Sequence, residues 1–229
     1  MKCIWLGQAG LWFEYEQLKI MIDPYLSDSV KTINPKNYRR VPIREEMFKL
    51  KPDVMIFTHN HLDHYDPETV RKFLGSNTAV TVLAPTSVWN EVRKIGGNNN
   101  YVLFDRHTEW TQDNTRFSAV LAVHSDYSAI GVLMETEGKI YYITGDTLYN
   151  TDIFEDLPQD IFAVFLPVNG VGNNMNMTDA KRFCERIQTR FAVPMHCGLF
   201  DEINMHEFAY ENKVVPEFYQ EIMFEEGKL

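Results

Sequence analysis

Residues 58–66 read THNHLDHYD, directly after the apolar run VMIF at 54–57. His59, His61 and His64 share this short stretch with the carboxylates of Asp63 and Asp66. Imidazoles this dense are costly to bury unless they stay neutral or find partners. The segment is therefore either a solvated loop or one half of a site whose other half comes from elsewhere in the chain. That choice constrains the fold, because partners must converge on one point.

Short runs rich in Val, Ile, Phe and Tyr recur between Gly, Pro, Asn and Asp, which is strand grammar. They are CIWL (3–6), LWFEY (11–15), LKIMI (18–22), VMIF (54–57), AVTVLA (79–84) and YVLF (101–104). Later come RFSAVLAVH (116–124), IGVLMET (130–136), KIYYIT (139–144), IFAVFL (161–166) and RFAVPM (190–195). Tight links predict an antiparallel meander for the first three, and TEGK (136–139) predicts a hairpin. DPETVRKFLG (66–75) reads as a helix with Asp66 as cap, Pro67 in the first turn and Gly75 as stop. PTSVWNEVRKIGG (85–97) and TDAKRFCERIQ (178–188) read the same way, the second capped by Thr178. Early hairpins followed by β–α alternation predict a layered α/β fold, with 1–229 as one domain.

The remaining candidates sit at strand ends. His124 ends FSAVLAVH, Asp146 follows KIYYITG and His196 ends RFAVPMH, so four runs each deliver a ligand-type side chain at the carboxyl end. Open α/β sheets build their sites there. His59 and His61 are two apart and share one side of an extended segment. Asp63 and His64 follow where the chain turns into the helix. Neutral imidazoles with carboxylates suit zinc, manganese or iron(II). His107 and His206 lie in a DRHTEW turn and at a helix start, and read as structural.

A formal net charge of −10 opposes adhesion to nucleic acid or anionic lipid. No apolar stretch approaches membrane-spanning length, and the opening MKCIWLGQAGLWFEYEQ lacks the pattern of a secretory signal. Cys3, Cys184 and Cys197 are scattered without a CxxC, which predicts a reduced, cytoplasmic setting.

With THNHLDH followed by His124, Asp146 and His196, the chain resembles the metallo-β-lactamase superfamily. Within it, DPYLSDS, THNHLDHYDPET, VHSDYSAIGVLMET, LPVNGVGNNMNMTDAKRF and PMHCGLFDE resemble the L-ascorbate-6-phosphate lactonase-like group. The resemblance implies an αββα sandwich of two mixed β-sheets. It implies that His59, His61 and His124 hold one divalent metal, that Asp63, His64 and His196 hold a second, and that Asp146 bridges them. It also implies that Asp23 supports the ligand loop from behind. The expected chemistry is hydrolysis of a lactone or other ester by a metal-bound hydroxide. Asp63 would orient the nucleophile, and Asp146 would receive its proton.

Substrate contacts are expected from two loops. KTINPKNYRR (31–40) offers Arg39 and Arg40 for an anionic group, and NGVGNNMNM (169–177) offers the amides of Asn169 and Asn176 for hydroxyls of a small, sugar-like substrate. A phosphodiesterase or nuclease on the same dinuclear site is the alternative reading. A metal-binding or sensing protein without catalysis is another. The sequence leaves the choice of metal and the oligomeric state open.

Overall fold

A computed structural model describes residues 1–75 and 77–225. Their strands form two mixed six-stranded sheets. The first runs in chain order: β1 (Lys2–Gly7), β2 (Gly10–Tyr15), β3 (Leu18–Ile22), β4 (Val54–Ile56), β5 (Thr81–Ala84) and β6 (Asn100–Leu103). β1 to β3 are the antiparallel meander, whereas β3 to β6 pair in parallel. The second contains β7 (Glu109–Gln112), β8 (Thr115–Leu121), β9 (Ile130–Thr136), β10 (Lys139–Ile143), β11 (Ile161–Pro167) and β12 (Phe191–Met195). Antiparallel pairs join β7 to β10, and parallel pairs join β10 to β12.

Side-chain alternation assigns the faces. On the first sheet Ile20, Ile22, Val54 and Ile56 face the second sheet and share its core with Phe117, Val132, Val164 and Val193. Their neighbours Met21, Met55 and Phe57 point the other way. There they pack with Val70 and Phe73 of α2 (Pro67–Phe73) and with Val88 and Val92 of α3 (Thr86–Val92). Phe183 of α4 (Met177–Ile187) packs with Tyr142, Tyr149 and Phe154 beside the second sheet. The layers are α, β, β, α, as expected. Among the described residues no helix is long and apolar enough to cross a membrane.

The structure differs from the sequence reading at several points. β7 lies where DRHTEW reads as a turn; its side chains alternate between exposed and half-buried at the sheet edge, so it has little apolar signal. β8 stops at Leu121, three residues before His124. Val123 leaves the ladder because its N–H donates to Thr147 Oγ1 at 2.9 Å and its carbonyl accepts from Leu148 N–H at 2.9 Å. The cap of α4 is Asn176 rather than Thr178: its Oδ1 accepts from the amides of Thr178 and Asp179, both at 2.9 Å. A short helix α1 (Val30–Ile33) runs into the start of the 31–40 segment. Asp66 caps α2 as the sequence predicts.

Candidate metal centre

The carboxyl ends of β3, β4, β8, β10, β11 and β12 lead into segments that meet on one rim of the sandwich. The first sheet contributes Asp23 after β3 and the 58–64 loop after β4. The second contributes His124, Asp146 and His196 after β8, β10 and β12. A backbone bond from Ile130 N–H to the Thr58 carbonyl, 3.0 Å, joins the two sheets at this rim. Gly145 permits the approach. Its φ is +59°, and a Cβ there would lie 2.9 Å from both the Ile130 carbonyl oxygen and Thr58 Cβ.

Two groups of donors result. Ligand atoms of His59, His61, His124 and Asp146 lie within 4.8 Å of one another, as do those of Asp63, His64 and His196. Within the first, His124 Nε2 is 3.1 Å from His61 Nδ1, and the His59 ring centroid is 4.6 Å from that of His61. Within the second, His64 Nε2 is 3.2 Å from His196 Nε2, and His196 Nε2 is 3.3 Å from Asp63 Oδ2. Asp146 joins the groups, with Oδ1 3.2 Å from His64 Nε2 and Oδ2 3.2 Å from His196 Nε2.

These residues fit divalent cations. His59 Nε2 is buried and has no hydrogen-bond partner, so its lone pair or proton is unsatisfied unless something else occupies the space it faces. Burial and the neighbouring His64 hold the His59 ring neutral, which is the form that ligates. The nitrogen and oxygen donor set is that of zinc, manganese or iron sites.

Other groups set the orientation of the donors. Asp23 accepts from Thr58 N–H at 2.8 Å and from Thr58 Oγ1 at 2.5 Å, and its Oδ2 lies 2.8 Å from His64 Nδ1. Gln8, 3% exposed, donates from Nε2 to Asp63 Oδ2 at 2.8 Å and lies 3.1 Å from the ring nitrogens of His196. Its carbonyl accepts from His196 N–H at 3.2 Å. Asn174 donates to Asp146 Oδ2 at 2.8 Å, and its own Oδ1 is buried without a partner. Neither amide stands out in the sequence: Gln8 falls in the tight link between the first two strands and Asn174 within the NGVGNNMNM loop.

Of the expected substrate residues, only Asn169 is brought to the donors, its Nδ2 lying 3.0 Å from His196 Nδ1. Asn176 is occupied in capping α4. Arg39 donates to the carbonyls of Val41 and Tyr25 and to Tyr219 Oη, which ties its guanidinium to the scaffold. Arg40 lies over the Tyr38 ring and sits 3.6 Å from Glu202. His107 and His206 lie apart from the cluster; His107 Nε2 sits 3.2 Å from Asp156.

Comparison with known proteins agrees with this fold. Residues 19–197 match a family model described as the beta-lactamase superfamily domain. A UPF0173 protein of Pyrococcus furiosus is 28% identical, over 92% of this chain and 90% of its own length. A UPF0173 metal-dependent hydrolase of Carboxydothermus hydrogenoformans is 27% identical, over 93% and 92%. Among solved structures, a metallo hydrolase of the archaeon Ignicoccus hospitalis superposes with a TM-score of 0.77 at 19% identity, covering 98% of both chains.

Proposed function

On the premise that the chain belongs to the metallo-β-lactamase superfamily and is a metal-dependent hydrolase, we propose that it opens a lactone or other ester of a small, sugar-like molecule. The observation that carries this reading is the pair of donor groups, each within 4.8 Å, the first of which contains His59 with its orphaned Nε2. In this reading 1–229 works as one catalytic domain in the cytoplasm. His59, His61, His124 and Asp146 would hold one divalent ion, zinc first, with manganese or iron(II) as alternatives. Asp63, His64 and His196 would hold a second, with Asp146 shared. Bound there, such ions would acidify a water, to a pKa of about 7 in the case of zinc, and would polarise a carbonyl oxygen.

The chain supplies the rest. Gln8 donates to Asp63 Oδ2 and so fixes the carboxylate that would hold the second ion and orient the attacking water. Asp146 receives the proton, held in place by Asn174. Asn169 lies beside His196 and is the amide placed to meet a substrate hydroxyl. Arg39 and Arg40 are engaged with protein groups, so this reading assigns neither to an anionic group of the substrate.

The test is elemental analysis of the purified protein, with turnover measured on neutral lactones, an anionic lactone, bis-p-nitrophenyl phosphate and RNA. Lactone opening that disappears in Asp146→Ala and His61→Ala supports the reading. Activity on phosphodiesters alone, or undiminished lactone opening in either variant, refutes it.

A further inference from the structure

We propose that Asp126 is a positioning residue that locks the loop carrying His59 and His61 to the loop carrying His124. Asp126 lies two residues beyond His124, and its carboxylate is shared among three segments. Oδ2 accepts from the backbone N–H of Asn60 at 3.1 Å and from Ser87 Oγ at 2.5 Å. Oδ1 lies 2.9 Å from both the backbone N and the Oγ of Ser128. Asn60 sits between His59 and His61, so this one carboxylate fixes the backbone from which both rings project. Ser87 stands on α3, which packs outside the first sheet, and Ser128 leads into β9 of the second.

The lock is a small network rather than one bond. Ser87 N–H donates to Ser128 Oγ at 3.1 Å, and the two hydroxyls are 2.8 Å apart. Next to Asp126, Ser125 Oγ lies 3.2 Å from His61 Nε2. The second donor group has no such link to Asp126: Asp63, His64 and His196 are held by Gln8, Asp23 and Asn169. Asp126 therefore contacts the backbone of the first donor group directly and reaches the second only through the shared loop, where His64 N–H donates to the His61 carbonyl at 3.0 Å, so its loss should weigh more heavily on the first group.

This inference rests on the reading of the cluster as a two-ion centre, and one experiment separates the two. Metal-stripped wild type, Asp126→Ala, Asp126→Asn and Ser87→Ala are titrated with Zn2+ by calorimetry, and melting of each stripped protein is recorded. Asp126→Ala is expected to bind one ion as wild type does and the other about 10- to 100-fold more weakly. Asp126→Asn keeps an oxygen facing Asn60 N–H and should recover most of that affinity; Ser87→Ala should fall between. Equal affinity at both positions in Asp126→Ala overturns the proposal, as does equal weakening of both with a matching drop in melting temperature. Should Asp126→Ala fail to fold, Asp126→Asn and Ser87→Ala decide by the same comparison. Wild type that takes up no Zn2+ overturns the two-ion reading itself.

Discussion

His64 and His196 are buried imidazoles, and burial alone would strip them of charge. Around His64 the carboxylates of Asp146 and Asp23 override that penalty and raise its pKa. Around His196, Asp146 and Asp63 do the same and push it up to about 9. Burial likewise opposes ionisation of Asp63 and Asp146, yet the facing imidazoles hold both carboxyls below their usual range. Without metal, protons on His64 and His196 thus stand in for cations. A raised folded-state pKa stabilises fully below the unfolded value, roughly 6.5 for histidine, and that contribution is lost as pH rises through about 9 for His196. Metal held by these residues, as proposed, would displace the protons, so its affinity would rise over the same window. The melting-temperature gap between zinc-loaded and stripped protein should widen from about pH 6 to about pH 9, as scanning calorimetry would show. A gap that narrows as pH rises contradicts this assignment of protons.

At the scale of elements, the rim depends on how the strands end. Gly145 is the tightest of these ends, with φ at +59° and backbone on the Cβ side. Gly145→Ala should destabilise by about 2 kcal/mol or more and displace Asp146, so denaturant midpoint and zinc affinity should fall together. Wild-type values for both would show the junction to be looser than described. Asn176 is a cap, and Asn176→Ala should lower stability by about 1 kcal/mol while KM stays unchanged. A raised KM with unchanged stability would instead return Asn176 to the substrate.

The core strands, the TEGK hairpin and the α2 cap were legible because apolar period, turn residues and Asp-Pro signals are local in sequence. The convergence of His59, His124, Asp146 and His196 was legible because strand ends fall on one side of an α/β sheet. β7 was hidden because an edge strand of EWTQ needs little apolar character. Gln8, Asn174 and Asp126 were hidden because each acts on residues far away in the chain: Gln8 on His196, Asn174 on Asp146, and Asp126 on Asn60.

Taken as a whole, the molecule is two sheets held by a shared apolar interior and, at one rim, by donors drawn from both. His59, His61, Asp63 and His64 come from the first sheet, and His124, Asp146 and His196 from the second. A cation held among them, as proposed, would add a cross-link between layers, present only in the folded state. Ligand at one hundred times its dissociation constant stabilises by about 2.7 kcal/mol, so chelation should lower the melting temperature, and zinc should restore it. The most direct measurement is anomalous X-ray scattering at the zinc edge from crystals grown with zinc. The account predicts two peaks, one among His59, His61, His124 and Asp146 and the other among Asp63, His64, His196 and Asp146. A map without density at either position, or with its strongest peak elsewhere on the protein, would contradict it.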